Sequence, residues 1–373
     1  MMDSLSHSAL DGLFAGPDDL PIEFAFFYER LPEAELLAEG LARTLPAFPR
    51  LQAAVSLRDV PGVELPSDDK VSRAGLFDVV EPGPGRPLCR LKVSRFGAGG
   101  CLGASMSHVL GDGVSLVGFL SAWARSVRGQ APAAPVSSEL PTLPAGALDG
   151  SRSLEEELGR AGFRLGPPPP HRRREDFTWD IRRFSREEVE ALVREARASQ
   201  PQVTSADVLA AFLWRLYHPP VLEGTAEPEL GIVFDFRRIP GLLPASYFGT
   251  AGLPLRVPLS PREASTLSLP ELAARIRARL QSASATDFFR YHALMEEVRR
   301  TQGQEGLDRL NASAEDHGLL INNISRFDLS LLDFGTGAPH TFDVLTPKSR
   351  MCFIVTRGDS LEAHTSLPRA SGS

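Results

Sequence analysis

A histidine followed four residues later by an aspartate lies in the segment SMSHVLGDGVSLVGFLSAWA, residues 105–124. A neutral imidazole has an ordinary pKa of about 6.5 and can take a proton from a hydroxyl or an amine near neutral pH. His108 is therefore a candidate general base. Asp112 could supply charge to it or could instead stabilise a turn, in which Gly111 and Gly113 permit close backbone approach.

The same spacing also has a structural interpretation, which the residues alone leave open. His108 could be a packed histidine at the end of a strand, and Asp112 could cap a helix that begins at Val114. A metal site is not supported, because no cluster of further His, Cys or Asp residues accompanies the pair. We therefore expect no bound metal.

The elements around His108 predict its position. Alternating apolar residues predict two strands, LCRLKVSRF and GCLGASMSH, joined by a glycine turn over residues 97–100. Apolar residues at helical spacing then follow Gly113 up to Val127. The histidine is thus expected at a junction between a strand and a helix.

Strand and helix patterns also alternate along the rest of the chain. The first half predicts a strand over IEFAFFYER and a helix over PEAELLAEGLARTLPAF. The second half predicts capped helices over SREEVEALVREARAS and TSADVLAAFLWRLYH and a strand over ELGIVFDFR. INNISRFDLSLLDFGTG and RMCFIVTRGDSLEAHTSL both alternate like sheet. These patterns predict an α/β protein.

The length of 373 residues favours two domains over one. We predict domains at 1–150 and 177–373, joined by a proline-rich linker over 151–176 in which only Leu154–Ala161 could be helical. The prolines 167–170 are expected to be stiff and extended.

Composition excludes several classes of function. A net charge of −7 offers no basic surface for nucleic acid. The three cysteines are widely spaced, which indicates a reducing compartment and no disulfide framework. No signal peptide or membrane helix is evident. We expect a cytoplasmic protein that binds neither nucleic acid nor membranes.

A second element lies about 220 residues beyond the histidine, and it changes the balance between the two interpretations. HxxxDG in the first half together with DFGTG at 333–337 resembles the BAHD acyltransferases, relatives of chloramphenicol acetyltransferase and of peptide-synthetase condensation domains. Three further segments occur in family order: VTSADVLAAFLWR, VFDFRR with its DxR pattern, and SYFGTAG. HxxxDG alone is weak evidence for this family. Five elements in the order of the family are specific evidence for it.

This resemblance implies two chloramphenicol-acetyltransferase-like α/β domains with mixed sheets, joined by a long crossover loop, with an active-site channel between them. It implies transfer of an acyl group from an acyl-CoA thioester to a hydroxyl or amine of a small acceptor. His108 would be the general base, and no acyl-enzyme would form. Coenzyme A would be a co-substrate, and no tightly bound cofactor is expected.

The resemblance also assigns supporting roles. Asp112 would point away from the substrate and pair with Arg237, or alternatively with Arg238. Gly113, Asp333 and Gly335 would be structural members of the motifs.

The chain departs from the family pattern at three positions. Thr336 replaces a tryptophan in DFGWG, which removes a large buried anchor. Asn323 and Ile324 replace the Ser-Trp pair, so that an indole donor is missing. Asn322 or Asn323 could supply an amide N–H to an oxyanion instead. Ser107 stands where condensation domains carry a second histidine, which favours the BAHD branch.

The donor and the source are open at this stage. Arg326, Lys348 and Arg350 could contact the phosphates of coenzyme A, but a carrier protein would present the same thioester arm. The alanine, arginine and proline content suggests a bacterial enzyme of specialised metabolism. We expect the protein to be a monomer. The alternatives are condensation-type transfer from a carrier-bound acyl or peptidyl group, and a degenerate binding module of the same fold.

Overall fold

The computed structural model describes residues 8–16, 21–67, 69–81, 86–97, 99–131, 133–167, 174–218, 228–312 and 318–369. It divides the chain into two compact units. Unit 1 comprises Met1–Pro141, Pro240–Gly252 and Arg326–Thr346, and unit 2 comprises Thr142–Ile239, Leu253–Ser325 and Pro347–Ser373. Both units are therefore discontinuous in sequence, unlike the contiguous domains 1–150 and 177–373. Residues 168–170 of the predicted extended proline run lie outside the described residues.

The helices and strands follow in chain order. The α-helices are α1 Ala9–Gly12, α2 Ala34–Thr44, α3 Lys70–Arg73, α4 Gly113–Val127, α5 Leu154–Ala161, α6 Arg186–Ser199, α7 Ser205–Tyr217, α8 Pro261–Thr266, α9 Leu269–Gln281 and α10 Ala285–Asp308. The strands are β1 Ile22–Tyr28, β2 Val55–Val60, β3 Cys89–Phe96, β4 Gly99–Met106, β5 Phe163–Leu165, β6 Phe177–Phe184, β7 Glu229–Asp235, β8 Gly252–Val257, β9 Leu310–Ala312, β10 Gly318–Asn323, β11 Thr341–Val344, β12 Met351–Arg357 and β13 Ser360–Pro368.

Unit 1 is built on a five-stranded sheet in the order β11-β1-β4-β3-β2. Strands β3 and β4 form an antiparallel hairpin, and β2 runs parallel to β3. All seven residues of β1 are buried, because the strand lies inside the sheet between β11 and β4. Gly103 in β4 permits a close approach, since a Cβ there would lie 2.1 Å from the carbonyl oxygen of Leu76. The sheet is therefore mixed, and β4 leads directly to His108.

Helix α4 is held in unit 1 by its apolar face. Trp123 is fully buried, and its indole N–H donates to the carbonyl oxygen of Leu37 in α2 at 2.9 Å. The ring of Phe119 packs edge-on against Phe48, with ring centroids 5.2 Å apart. These contacts fix the helix whose first turn follows the HxxxDG segment.

Unit 2 contains a six-stranded sheet in the order β6-β13-β12-β10-β7-β8 and a small two-stranded sheet of β5 and β9. Strand β10 is parallel to both β7 and β12, whereas β13 is antiparallel to its two neighbours. Buried residues of α7, α9, β7, β10 and β12 form one apolar cluster on the helix-covered face. The parallel strands β7 and β10 come close at Gly318, where a Cβ would lie 1.7 Å from the carbonyl oxygen of Glu229.

Several predicted helices begin and end at the predicted residues or within a residue or two of them. Helix α5 covers Leu154–Ala161, the only helix predicted in the linker. Ser185 caps α6 and Thr204 forms a capping box with Asp207 at α7, as the sequence indicated. The prediction of sheet over residues 321–337 was wrong beyond Asn323, because a 3₁₀ helix at Leu329–Leu332 and a loop follow the short strand β10.

One feature of the helical content goes beyond the predictions. Helix α10 has 24 residues, with a non-helical backbone at Gly303 that marks a kink. Among the described residues, no helix combines the length and apolar character required to cross a membrane.

Candidate active site

His108 lies at the end of β4, where the chain leaves the sheet of unit 1. The backbone N–H of Ser107 donates to the carbonyl oxygen of Leu88 at 2.7 Å, which extends the hairpin by one residue. His108 then opens a one-turn 3₁₀ helix, in which the N–H of Gly111 donates to its carbonyl oxygen at 3.1 Å. The predicted junction of strand and helix is thus confirmed, and the histidine is partly exposed.

An aromatic ring lies against the imidazole. The ring of Phe14 stacks on that of His108, with centroids 4.0 Å apart and planes inclined by 19°. Phe14 belongs to the segment Ser8–Gly16, which precedes β1. Neither the stack nor this segment was predicted from the sequence.

A buried ion pair joins the same segment to the turn that carries His108. Asp11 in α1 is only 2% exposed, and its carboxylate lies 3.1 Å from the guanidinium of Arg50. Arg50 also donates to the carbonyl oxygen of Val109 at 2.7 Å. The second oxygen of Asp11 accepts the backbone N–H of Thr250 at 3.2 Å. Four segments of unit 1 therefore meet at this pair.

The carboxylate of Asp112 accepts three backbone N–H bonds. Its Oδ1 accepts from Ser115 at 2.9 Å, which caps α4. Its Oδ2 accepts from Ala251 at 2.9 Å and from Gly252 at 2.8 Å. The capping alternative is therefore confirmed, with the helix beginning at Gly113, and the same carboxylate also fixes the SYFGTAG segment.

Ser115 and Gly111 complete this contact between the two motifs. The hydroxyl of Ser115 donates to the carbonyl oxygen of Gly249 at 2.9 Å and accepts its N–H at 3.1 Å. A Cβ at Gly111 would lie 2.9 Å from the Cβ of Ser115 and 3.3 Å from the Cα of Gly249. Glycine at 111 is thus required by packing, because any side chain would separate the two segments.

Arg237 does not lie on a strand, contrary to the expectation of a DxR strand. It follows β7 in a 3₁₀ helix, Phe236–Arg238, which Asp235 caps. Its guanidinium lies 3.0 Å from the carboxylate of Asp235, and the side chain is 13% exposed. Arg237 belongs to unit 2 and Asp112 to unit 1, so that their pairing stays a prediction.

The two asparagines at the end of β10 occupy different faces of the sheet in unit 2. Side chains alternate along a strand, and Leu319 and Ile321 belong to the apolar cluster beneath the helices. Asn323 shares that face, and its Oδ1 accepts both the N–H and the hydroxyl of Ser325, at 3.1 and 2.7 Å. Asn322 lies on the opposite face with Leu320 and is half-buried.

The three basic residues suggested for coenzyme A fall in different places. Arg326 is exposed in unit 1, whereas Lys348 and Arg350 belong to unit 2. The guanidinium of Arg350 donates to the carbonyl oxygens of Gly318 at 2.6 Å and Tyr217 at 2.5 Å. Burial lowers the pKa of Arg350. Its guanidinium therefore stabilises the start of β10.

The DFGTG loop has a buried anchor even without the family's tryptophan. Phe334 is 2% exposed and packs edge-on against Trp123, with ring centroids 4.8 Å apart. Oδ1 of Asp333 accepts the N–H of Gly335 at 2.7 Å and that of Gly337 at 2.9 Å. Thr336 donates its hydroxyl to the carbonyl oxygen of Arg30 at 2.8 Å. The loop is thus an architectural element of unit 1.

An open cleft of about 660 Å³ lies beside this loop, between it and residues of α2 and the end of α4. The lining is strongly charged, with Glu33, Glu35 and Glu39 facing Arg30 and Arg128. His108 and Asp112 do not line it. The cleft is therefore separate from the candidate active site.

The cysteines are not candidate nucleophiles. Cys89, Cys101 and Cys352 are all buried and free. Burial raises the pKa of the Cys89 and Cys352 thiols to about 12, and raises that of Cys101 further. A buried neutral thiol is a poor nucleophile. Within the part of the chain that the structure describes, no group of three or more His, Cys, Asp or Glu side chains could hold a metal ion.

The fold and the site together define the class of protein. The chain has two sheet-containing α/β units, one of which presents a partly exposed histidine between a strand and a helix capped by Asp112. A family model described as "Transferase family" matches residues 47–371. The chain belongs to this family, and the resemblance to BAHD-type acyltransferases is confirmed at the level of the family.

One curated relative and two solved structures illustrate the similarity. Rosmarinate synthase of Plectranthus scutellarioides is 28% identical over 178 residues, which are 44% of this chain and 39% of that protein. The chain thus spans about two fifths of the length of this relative. TRI101 of F. graminearum, solved with coenzyme A and T-2 mycotoxin, superposes with a TM-score of 0.71 at 15% identity, over 97% of this chain and 94% of that chain.

Vinorine synthase superposes with a TM-score of 0.67 at 19% identity, over 97% of this chain and 89% of that chain. At such identities the two structures show a common fold. They confirm the predicted fold class of two α/β domains with mixed sheets.

Sequence reasoning missed the residues that fix the His108 turn through distant contacts. Ser115 could have been found, because it stands at the third position of a helix capped by Asp112 and offers its N–H there. Asp11, Phe14 and Arg50 carried no such local signal, since their partners lie between 39 and 239 residues away.

We expect Asp112→Ala to destabilise unit 1, because it leaves three backbone N–H groups without their acceptor. The free energy of unfolding should fall by roughly 2–4 kcal/mol, because buried backbone N–H groups would lose a charged acceptor. Thermal and urea unfolding measure this loss. Asp328→Ala is the matched control, since Asp328 caps a 3₁₀ helix of the same unit from an exposed position. Equal losses in the two variants would contradict this role of Asp112.

Proposed function

We propose that this protein is an acyltransferase that moves an acyl group from an acyl-CoA thioester to a hydroxyl or amine of a small specialised metabolite. The observation that carries the proposal is the position of His108, partly exposed at the strand end and fixed by backbone contacts on both sides. Membership of the transferase family supports it. TRI101 supports the choice of donor, since it is solved with coenzyme A and a small toxin.

His108 acts as the general base in this proposal. The unprotonated ring nitrogen takes the proton from the acceptor hydroxyl or amine as the acceptor attacks the thioester carbonyl carbon. The tetrahedral intermediate then collapses, the C–S bond breaks, and the imidazolium returns the proton to the CoA thiolate. The products are the acylated acceptor and CoA-SH. No covalent enzyme intermediate is required, and the buried thiols of the chain offer none.

Asp112 has a supporting role, since its two carboxylate oxygens serve backbone N–H groups. It stabilises the turn that presents His108. Arg237 remains the proposed additional partner of this carboxylate. Gly113, Asp333 and Gly335 are architectural residues in the same sense. Arg326, Lys348 and Arg350 are the candidates for the CoA phosphates, although the guanidinium of Arg350 also donates to two backbone carbonyl oxygens.

Asn322 is the better candidate for the oxyanion donor. Asn323 shares the face of the apolar cluster, and the two bonds that its Oδ1 accepts from Ser325 fix its side chain in a local turn. Asn322 lies on the other face, half-buried, where an amide N–H can be directed at a ligand. A positioned donor stabilises the negative charge that develops on the thioester oxygen.

Replacing His108 by alanine should lower turnover by roughly 10²–10⁴-fold, which is the usual contribution of a positioned general base. The measurement is thiol release from a panel of acyl-CoAs, short, long and aromatic, with pooled alcohol and amine acceptors. His340→Ala is the matched control, because His340 is an exposed histidine of the same unit. A loss of less than about threefold on changing His108 would defeat the mechanism.

The panel also separates the alternatives. Release from a carrier-protein thioester but from no acyl-CoA would indicate condensation-type transfer. Absence of release from every thioester, together with absence of thioester binding, would indicate a binding module.

The two asparagines provide a second test. Asn322→Ala should lower kcat by roughly 10²–10³-fold, the cost of removing one oxyanion donor. Asn323→Ala, from the neighbouring residue on the other face, should change kcat by less than about threefold, by the same reasoning. The reverse ranking would assign the donor to Asn323, and unchanged turnover in both variants would exclude an asparagine donor.

A further inference from the structure

We propose that Phe14 is a positioning residue for His108, and that the Asp11–Arg50 ion pair fixes the segment that carries it. This inference rests on the proposed function, since it assigns a task to His108. It concerns the segment Ser8–Gly16, called the N-terminal segment below, which the motifs of the family do not include.

The first support is the geometry of the stack. The rings of Phe14 and His108 are nearly parallel at 4.0 Å between centroids, so that the phenyl ring covers one face of the imidazole. Aromatic pairs at such distances are favourable beyond the area that they bury. A covered face restricts rotation of the imidazole and leaves its edge, which carries both nitrogens, as the part that can meet a substrate.

The second support is electrostatic. When His108 takes the acceptor proton, its ring becomes a cation. The face of a phenyl ring is negative and attracts a cation placed over it, more strongly where water is excluded. Phe14 therefore stabilises the protonated state through which the reaction must pass, which a saturated side chain of similar volume cannot do.

The third support is the way the N-terminal segment is fixed. Helix α1 has only four residues, yet all four are buried, including Asp11. A carboxylate is seldom buried to this extent unless it is paired. Arg50 pairs with Asp11 and also donates to the carbonyl oxygen of Val109, the residue next to His108.

This arrangement connects the N-terminal segment to the histidine turn from both sides. Phe14 contacts the imidazole, and Arg50 contacts the backbone immediately after it. Asp11 also accepts the N–H of Thr250, directly before the two N–H groups that Asp112 accepts. The position of the phenyl ring is therefore determined by the same backbone that determines the position of His108.

The test compares Phe14→Leu and Phe14→Tyr by steady-state kinetics of acyl transfer on the full chain. Leucine removes the aromatic face, and we expect kcat to fall by roughly 10–100-fold with KM changed less than about twofold, as for a misplaced catalytic group. Tyrosine keeps the face and should restore kcat to within about threefold. Phe96→Leu is the matched control, a partly buried phenylalanine elsewhere in unit 1 that should leave kcat unchanged.

Asp11→Asn tests the fixation of the segment. It removes the ion pair but keeps one oxygen acceptor, so that kcat should fall in the same way as in Phe14→Leu. Because both substitutions act on the orientation of one ring, their effects on kcat should be less than multiplicative in the double variant. Fully multiplicative effects would show that Asp11 acts independently of Phe14 and would overturn the second half of the proposal.

A spectroscopic measurement makes the outcome independent of activity. In protein labelled with ¹³C at histidine Cε1, the His108 resonance is identified by its loss in His108→Ala. Phe14→Leu should shift that resonance, since an aromatic ring over the imidazole displaces it, whereas Phe96→Leu should not. A resonance that does not move in Phe14→Leu would overturn the stack. A shifted resonance with unchanged kcat would overturn the positioning role of Phe14. If the wild-type protein transferred no acyl group, only the proposed function would be contradicted, because the resonance still tests the stack.

Discussion

The candidate site depends on the hydrogen bonds that the carboxylate of Asp112 accepts from three backbone N–H groups. One oxygen caps α4 and the other accepts two consecutive N–H groups of residues 251 and 252, which lie about 140 positions later in the chain. Hydrogen bonds to a charged acceptor are about twice as strong as neutral ones, so that a single side chain fixes two distant segments. Gly111 and Ser115 can then pack against Gly249 only because the backbones already lie close.

This constraint explains the order of the HxxxDG residues. A histidine that is to serve as a base needs a rigid support, and the backbone N–H groups that Asp112 accepts supply such a support. Here the aspartate stabilises the turn, and His108 itself opens the 3₁₀ turn, which ends at Leu110 and leaves the imidazole at the end of β4. The spacing thus reflects the geometry of a strand, a tight turn and a capped helix, in which the aspartate fixes the backbone.

The sequence was sufficient for the local parts of the fold. Periodicity located β3, β4, α4, α6 and α7, and capping residues placed helix ends to within a residue or two. The sequence could not reveal that Pro240–Gly252 and Arg326–Thr346 belong to the same unit as the first part of the chain. Their place in unit 1 depends on contacts between residues more than 100 positions apart in the sequence. The alternation in 321–337 predicts a continuing strand for a related reason, since apolar residues also alternate along the loop and the 3₁₀ turn that follow Asn323.

For the site, the motifs identified His108 and Asp112 but not the residues that surround them. Phe14, Asp11 and Arg50 occur in segments without any recognisable motif, and only the fold brings them to the histidine turn. For Arg350 the residue type did suggest a role, since its charge could contact a phosphate. The structure shows in addition that its guanidinium donates to two backbone carbonyl oxygens. Residue type alone therefore does not separate binding arginines from structural ones.

The central claim is direct transfer from the thioester to an acceptor, with His108 as the base and no acyl-enzyme. The most direct measurement is a rapid-quench time course of thiol release from the preferred acyl-CoA, with and without acceptor, followed by the intact mass of the protein. The account predicts that release requires the acceptor, shows no initial burst and leaves the mass unchanged. A burst equal to the enzyme concentration without acceptor, with the acyl group bound to the protein, would contradict it.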